Sequence, residues 1–434
     1  MGHNSSFAAS PIDETRVIAA GLRYHTHIRL RRERPTAANW RAWDFGCPSA
    51  IRKGAMMKGF LLGMFHAAIF LGFIFLITGC SDGTLTAGGP TPTPSPGNAF
   101  VYTANAGGNS ISGFANDGTG ALTPVPGSPF ASPGQPFGIA ATPNNQFLYV
   151  TSFQNNQVNG FLISSASGVI TPLACPTIAA TDVQPLKIAI NPAGTLLYTA
   201  NQVGSVTGFA INATTGCLTA ISTTPTDTVA RGITIDQSGQ FVYVVTGGGG
   251  IDAFSIGPTG TLTRLAIGGF DSGTTTMLAV KAVPTFELLM ATDGGSTNNL
   301  RTFNINTGTG TLTPIVTTTP GSSPANPSAI AFNTPLNATT PLFYIANTAS
   351  NNLTVNTVDA TGALGATSLT VPVATGPIDL AVDPSGKFLY VANNGSSTVS
   401  VLNANITAAN TTTALISTSP TGGGPESIVV VRHP

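Results

Sequence analysis

A short sequence pattern recurs seven times along the chain, and this repeat limits the folds available to it. The clearest copy, residues 376–393, has an apolar run, a Pro-Ser-Gly turn and a run in which Phe388 and Tyr390 alternate with smaller residues. Alternation with a period of two around a Gly-containing turn predicts an antiparallel hairpin. The copies are spaced 45 to 54 residues apart. Their aromatic strands start at Phe100, Phe147, Leu196, Phe241, Leu288, Leu342 and Phe388.

Each copy contains four short strands. The hairpin is followed by a polar turn, an alternating strand such as Ser110 to Phe114, a Gly turn, and a third strand such as Gly120 to Pro124. A Pro-started apolar strand then leads into the next copy. Four strands per roughly 45 residues is the period of a β-propeller blade. The predicted fold class is therefore all-β: a seven-bladed β-propeller of four-stranded antiparallel blades, spanning residues 98–434.

The two ends of the repeat region predict how the ring closes. The region begins on a second strand, at Phe100, and ends with residues 425–430, which have the pattern of a first strand. We expect this C-terminal strand to complete the blade that Phe100 starts, because closure removes two exposed sheet edges. The fifth copy is the most degenerate, and an insertion follows it near Thr334 to Pro341.

The N-terminal part has a different composition. Residues 1–55 are Arg-rich and non-periodic, and we interpret them as a non-native extension upstream of a start at Met56 or Met57. Residues 56–80 have the pattern of a signal peptide, and residues 77–80, Ile-Thr-Gly-Cys, resemble a bacterial lipoprotein lipobox in which Cys80 is lipidated. The alternative is an uncleaved transmembrane anchor, because the apolar run is long. Either reading places the propeller outside the cytoplasm.

Residues 81–97 are rich in Pro, Thr and Gly and predict a semi-rigid spacer between membrane and propeller. We expect a protein that is lipid-anchored to the cell envelope, in the periplasm or at the cell surface. Ser81 directly after Cys80 favours outer-membrane sorting. We expect a monomer that touches the membrane only through its lipid.

The charge distribution excludes one class of partner. From residue 60 onward the chain has 7 basic and 13 acidic residues, a net charge of −6. An acidic surface without a basic patch argues against nucleic acid and against an anionic membrane surface.

Two cysteines lie within the propeller. Cys175 and Cys217 fall in the third-strand regions of neighbouring blades, at different offsets. Export makes a disulfide between them chemically available. The sequence leaves two alternatives open, a disulfide or two buried thiols.

The residue types that are absent restrict the chemistry. His433 is the only His beyond the signal peptide, and both Trp lie upstream of it. A catalytic His, a His-ligated metal and a haem ligand are therefore excluded, and we expect no cofactor and no metal. The turns at 117–120, 306–310 and 359–362 resemble calcium loops, but their recurrence at one blade position favours hairpin turns.

Four charged residues stand out at the predicted channel mouth, where the loops enter the innermost strands. The aligned positions there are mostly small or apolar, and the exceptions are Lys187, Arg231, Asp379 and Glu426. Two cations could hold an anionic group or stabilise an oxyanion, and a carboxylate could direct water. The alternative is that they are solvated loop charges or mutual ion pairs that contribute little.

The repeats resemble those of the seven-bladed β-propeller lactonase family, typified by bacterial 6-phosphogluconolactonase. The resemblance rests on the x-Pro-x-x-Ile-Ala-x-x-Pro-x-Gly-x-Phe-Leu-Tyr-Val-Ala-Asn pattern and on residues 122–130, Leu-Thr-Pro-Val-Pro-Gly-Ser-Pro-Phe, and it covers residues 98–434. It implies hydrolysis of a sugar lactone or another lactone at the channel mouth by His, Arg and carboxylate side chains. Because the propeller has no internal His, Arg231 and Glu426 are the nearest candidates by type.

Two functions remain open. The first is a lactonase-type hydrolase, and the second is a non-catalytic envelope propeller that binds a ligand or protein through one face. Convergence of Arg231 and Glu426 at an open mouth would favour the enzyme. A mouth plugged by Phe137, Leu186 and Leu278 would favour the binding protein.

Overall fold

A computed structural model describes residues 99–433, apart from 177–178, 266–269, 272–275, 295–299, 316–324, 334–340 and 367. Of residues 270–271 it describes the backbone. The chain divides into two units, Met1–Ser81 and Asp82–Pro434, and all described residues belong to the second. The predicted extension, signal peptide, Cys80 and linker lie outside the described residues, as does most of the insertion near Thr334.

The described residues form 31 strands in seven sheets. The first blade contains β1 (Ala99–Asn105), β2 (Ser110–Asn116), β3 (Leu122–Pro124) and β4 (Phe130–Ala131). The second contains β5 (Pro136–Ala141), β6 (Phe147–Ser152), β7 (Gln157–Ile163), β8 (Ile170–Pro172) and β9 (Ala179–Ala180). The third contains β10 (Pro185–Ile190), β11 (Leu196–Asn201), β12 (Ser205–Ile211) and β13 (Leu218–Pro225).

The remaining four blades repeat this order. The fourth contains β14 (Ala230–Ile235), β15 (Phe241–Thr246), β16 (Gly250–Ile256), β17 (Leu262–Arg264) and β18 (Phe270–Asp271). The fifth contains β19 (Met277–Ala282), β20 (Leu288–Asp293), β21 (Leu300–Ile305) and β22 (Leu312–Ile315). The sixth contains β23 (Pro327–Asn333), β24 (Leu342–Asn347), β25 (Asn352–Thr357) and β26 (Leu369–Pro372). The seventh contains β27 (Pro377–Val382), β28 (Phe388–Asn393), β29 (Thr398–Asn403) and β30 (Leu415–Pro420), and β31 (Pro425–Arg432) follows it.

Consecutive strands of each blade pair antiparallel, and in three blades the outer strand is made of two short pieces. The last strand, β31, pairs with β1, from Ala99 opposite Arg432 to Asn105 opposite Pro425. The C-terminal strand is therefore the innermost strand of the first blade. The predicted seven-bladed propeller and its closure are confirmed.

The apolar core consists of seven clusters, one between each pair of neighbouring blades. Between the first two blades, Phe100 and Tyr102 pack with Ile139 and Leu148. Residues on both faces of each middle strand are buried, as the pattern of β6, buried throughout, shows. Each blade is thus held by burial against both of its neighbours.

In six of the seven blades the outer hairpin turn contains a Gly that packs against the neighbouring blade. A Cβ on Gly168, whose φ is 69°, would lie 2.4 Å from Cδ1 of Phe100 in the preceding blade. No amino acid other than Gly can adopt this positive φ without strain and also allow so close an approach. The spacing between aromatic residue and turn Gly in the repeat therefore reflects contact between blades.

Candidate functional site

A β-bulge opens the innermost strand of every blade. At its start the ladder skips one residue in six of these strands and two residues in β5. Bulges re-aim side chains and are common next to active sites. The bulged residues are the aligned mouth residues of the repeat: Phe137, Leu186, Arg231, Leu278, Ser328, Ile378 and Glu426.

A central channel runs between the seven innermost strands. It encloses a cavity of about 590 Å³ lined by residues of all seven of them. Its charged lining residues are Lys187, Asp236, Lys281 and Asp379. Most of the remaining lining is aliphatic.

Lys187 extends across the channel mouth. It starts on β10 in the third blade, and its Nζ donates to the backbone carbonyl of Glu426 in the first blade at 3.1 Å. The same Nζ lies 3.8 Å from Oδ2 of Asp379 in the seventh blade. The second blade lies between these elements, and its aligned residue is Gly138. A Cβ on Gly138 would lie 2.8 Å from the Leu186 carbonyl oxygen and 3.0 Å from Cα of Lys187, so this Gly lets β10 approach.

Asp379 is held from several directions. Its Oδ1 accepts the Leu380 N–H at 2.9 Å, and its Oδ2 accepts the Ile428 N–H at 3.1 Å. The Ser427 hydroxyl also donates to Oδ2. The Asp379 side chain retains 20% of its exposure, and that of Lys187 retains 32%. The pair is therefore fixed in place and still accessible from the cavity.

Glu426 contributes its backbone to this cluster, while its carboxylate turns to Asn394. The Asn394 Nδ2 donates to Oε1 of Glu426 at 2.9 Å and to the Pro425 carbonyl at 3.3 Å. Burial raises the pKa of Glu426, and the nearby charge of Lys187 and the hydrogen bond from Asn394 partly offset that rise. The side chain of Glu426 does not line the cavity.

Arg231 does not join the other three candidates. Its side chain is exposed, and a Cβ on Gly247, in the turn of the same blade, would lie 3.3 Å from the Arg231 Nε. Among the described residues it forms no ion pair with Asp379 or Glu426. The side chain of Arg231 thus lies beside the turn of its own blade and does not line the cavity.

The apolar mouth residues do not plug the channel. Leu278 lines the cavity, but Phe137 and Leu186 do not. The Phe137 ring packs on Phe153, with centroids 4.9 Å apart. The mouth is thus open, and its charged cluster consists of Lys187, Asp379 and the Glu426 backbone.

Cys175 and Cys217 form a disulfide, with Cα atoms 5.5 Å apart. It joins the outer part of the second blade to the hairpin turn of the third. Both cysteines are half-buried, which corrects the alternative of two buried thiols. The two cysteines meet although their offsets in the repeat differ, because Cys175 follows the outer strand β8 and Cys217 precedes the outer strand β13.

The Asp and Asn turns cap hairpins. Oδ1 of Asp359 accepts the N–H groups of Thr361 and Ala363, and Oδ1 of Asn306 accepts those of Gly308 and Thr309. Within the described part of the chain, no group of three His, Cys, Asp or Glu side chains could hold a metal ion. No helix there is long and apolar enough to cross a membrane.

Sequence reasoning missed Asn394 and did not single out Ser427 or Lys281. Asn394 follows the aromatic strand of the seventh copy, where other copies also have Asn-rich turns, so the repeat carried a signal for it. In three other copies this turn supplies Asn109, Asn156 or Asn351, and each accepts an N–H from the loop that enters the next blade.

Comparison with solved structures gives proteins of similar fold at low sequence identity. A candidate 6-phosphogluconolactonase from Bacteroides uniformis ATCC 8492 is 15% identical, with a TM-score of 0.64 over 77% of this chain and 99% of its own. The periplasmic gluconolactonase of Pseudomonas aeruginosa is 14% identical, with a TM-score of 0.64 and the same coverage. Hydrazine synthase of Kuenenia stuttgartiensis is 19% identical, with a TM-score of 0.52 over 73% of this chain and 98% of its own. At identities this low, the structural similarity shows that these proteins share the fold and nothing more.

No curated protein matches the sequence. The sequence profile of the family described as lactonase, 7-bladed beta-propeller, matches residues 93–269 and 296–430, which is well over half of the chain. Together with the closed seven-bladed ring, this match shows that the chain belongs to the seven-bladed β-propeller lactonase family.

Proposed function

We propose that the protein hydrolyses a lactone at the mouth of its central channel. The observation that carries this proposal is the bridge formed by Lys187, which places a cation within 3.8 Å of the Asp379 carboxylate at the edge of a 590 Å³ cavity. Family membership and two relatives named as gluconolactonases support the reaction class.

The two side chains supply complementary parts of the reaction. The carboxylate of Asp379 takes a proton from a water molecule as its oxygen attacks the lactone carbonyl carbon. The ammonium of Lys187 stabilises the negative charge that forms on the carbonyl oxygen. The bond from this carbon to the ring oxygen then breaks, and Asp379 returns the proton to that oxygen. The product is an open-chain hydroxy acid.

The surroundings favour a fixed geometry. Three donors from protein groups hold Asp379, so little reorganisation is needed as charge develops. The lining beyond the pair is mostly aliphatic, which strengthens electrostatic interactions inside the channel. Lactone hydrolysis at this site needs no His.

A second candidate function is binding without catalysis. It is favoured by the full set of contacts on Asp379, since Ser427, Ile428 and Lys187 all lie at the same Oδ2. A carboxylate engaged in this way can act as a structural anchor for a mouth that recognises a ligand or an envelope protein.

We also propose that the propeller works outside the cytoplasm on a lipid anchor at Cys80. The disulfide between Cys175 and Cys217 supports this proposal, because disulfides persist mainly in oxidising compartments. Labelling with a radioactive fatty acid tests it. Label that is present in the wild type and lost in Cys80→Ser supports lipidation. A wild type without label, or equal label in the wild type and Cys80→Ser, contradicts it.

Lactone hydrolysis is tested with the purified full-length protein. Substrates are gluconolactone, its 6-phosphate, and simple γ- and δ-lactones, with acid release measured by pH-stat. We expect Asp379→Asn to lower kcat by about 10² to 10⁴ and Lys187→Met by about 10² to 10³. The matched control is Lys387→Met, since Lys387 lies in the hairpin at the opposite end of its blade and its Nζ donates to the Gly118 carbonyl.

The outcomes separate the two candidate functions. Turnover by the wild type and Lys387→Met that both mouth variants lose supports hydrolysis at this site. Wild-type rates equal to those in buffer contradict hydrolysis and leave the binding function. Turnover that persists in both mouth variants places the reaction elsewhere.

A further inference from the structure

A second row of channel residues lies below the mouth. Lys187 and Asp379 each directly follow the bulged residue of their innermost strand. The second row comprises the residues two positions further along each innermost strand, a step of about 7 Å. Six of its seven members are small or β-branched and uncharged. The row consists of Ala140, Ala189, Thr234, Lys281, Ala331, Ala381 and Val429, and all seven line the cavity.

Lys281 is the exception in this row, and its place in the sheet explains why a long side chain fits. Lys281 lies directly opposite Met290 on β20. In the other six blades the corresponding pair joins a small or β-branched residue to a Tyr, such as Ala189 opposite Tyr198. Met is slimmer than Tyr, so the fifth blade has room for the Lys stem.

The ammonium of Lys281 has no carboxylate partner in the described part of the propeller. The side chain is exposed to the channel, and none of the ion pairs among described residues includes it. The internal ranges outside the description, 177–178, 266–269, 272–275, 295–299, 316–324, 334–340 and 367, contain no Asp or Glu. Asp271, whose backbone alone is described, lies on the outer edge strand β18.

The other charges of the cavity are already engaged. Lys187 and Asp379 form the mouth pair. Asp236 is 2% exposed, and its Oδ1 accepts the N–H groups of Gln240 and Phe241 in its own hairpin. Of the two lysines that line the cavity, Lys281 is therefore the one that contacts no carboxylate among the described residues, and the residues around it are largely aliphatic.

We propose that Lys281 forms an anion site within the channel and that this site takes a carboxylate group of a small ligand. A cation in a cleft attracts anions and raises their local concentration. One ammonium balances one carboxylate, whereas a doubly charged phosphate would leave a negative charge among aliphatic side chains. Thr234 of the adjacent blade lines the same row. Its hydroxyl oxygen accepts the Ala282 N–H at 3.4 Å, and its own proton can be donated to a ligand oxygen.

The site lies one row below the mouth pair, so it is distinct from the proposed catalytic groups. Binding there does not depend on hydrolysis. A ligand that reaches both positions would have to span the step of about 7 Å between the two rows and also the distance between the blades.

The test uses the full-length protein at pH 7 and propionate, a monocarboxylate, as the probe. We expect Tm to rise with propionate concentration in the millimolar range and to level off, because a ligand that binds only the folded state stabilises it. Sodium chloride at equal ionic strength and glycerol at equal concentration are the reference additions. Lys281→Met and Lys281→Gln should both abolish the propionate-dependent rise, and Lys281→Arg should restore it.

Lys387→Met is the matched control, and it should keep the full rise. A wild type that responds to propionate no more than to sodium chloride overturns the proposal. A rise that persists in both charge-removing variants of Lys281 also overturns it. A rise that is kept in those variants and lost in Lys187→Met would place the anion at the mouth instead. Because no turnover is measured, failure of lactone hydrolysis leaves this result unchanged.

Discussion

The Tyr198 hydroxyl of the third blade donates to the carbonyl oxygen of Gly260 in the fourth blade, at 2.8 Å. The same bond joins Tyr102 to Gly168 and Tyr149 to Gly216, both at 2.6 Å. In each case the Tyr lies on the middle strand and the carbonyl lies in the hairpin turn of the next blade. The fifth blade has Met290 at this position and so lacks the hydroxyl. One residue of the repeat therefore joins neighbouring blades by both packing and hydrogen bonding.

Replacement of Tyr198 by Phe should destabilise the propeller. The ring would still pack, but the buried carbonyl of Gly260 would lose its donor, at a cost of about 1–3 kcal/mol. Chemical denaturation gives the change in free energy of unfolding. Met290→Leu is the control, because it removes no hydrogen bond and should cost less than about 1.5 kcal/mol. Equal stabilities of wild type and Tyr198→Phe would show that the bond contributes nothing measurable.

Loss of the disulfide between Cys175 and Cys217 should also destabilise the protein. The bond closes a loop with a sequence separation of 42, for which chain entropy gives about 4 kcal/mol. We expect Cys175→Ser, Cys217→Ser and the double variant to lower Tm by similar amounts. A reductant should lower the Tm of the wild type toward theirs and leave the double variant unchanged. A wild-type Tm that a reductant does not alter would contradict this assignment.

Asp252 should make stability fall as pH rises. It is 1% exposed, and its position holds Ser, Thr or Asn in five of the other six blades and Arg301 in the fifth blade. Burial raises the pKa of Asp252 to about 6. The cation beside it, Arg264, also bonds the more exposed Asp227 and lowers the pKa of that carboxyl. A raised pKa in the folded state means that folding takes up a proton, so the stabilisation is present below pH 4 and is lost as pH rises through about 6.

The measurement is the free energy of unfolding of the wild type minus that of Asp252→Asn, from pH 3 to 7. This difference should fall with rising pH by at most about 3 kcal/mol. Asp117→Asn is the control. Hydrogen bonds from Thr119 lower the pKa of Asp117, so the corresponding difference should rise with pH below about 4. A flat difference for Asp252→Asn would mean that its carboxyl titrates alike in both states.

The repeat was sufficient to predict the fold. Seven copies with a period of two, a turn Gly and an aromatic residue specify local hairpins, and their number specifies the number of blades. The first-strand pattern of residues 425–430 predicted the closure that β31 makes with β1. These features follow from backbone hydrogen bonding and alternate burial, which are local and repeated, so they can be read from one chain.

The candidate site depends on contacts between blades, which the repeat pattern does not specify. Lys187 and Arg231 occupy neighbouring aligned positions, one residue apart in the repeat. From the sequence, both are equally good candidates for a charged group at the channel mouth. In the structure Lys187 crosses the mouth to Asp379, while Arg231 lies beside the turn of its own blade. The partners of Lys187 come from blades that are far away in sequence.

The sequence by itself therefore determined the strands, their order and the closed ring. Only the tertiary structure decided that Lys187 and Asp379 pair, that Cys175 bonds to Cys217, and that Lys281 lines the channel without an ion pair among the described residues. The physical reason is that these relationships depend on the side-chain directions at bulges and on distances between blades. Those are fixed when seven separate interfaces pack together, and no local pattern encodes them.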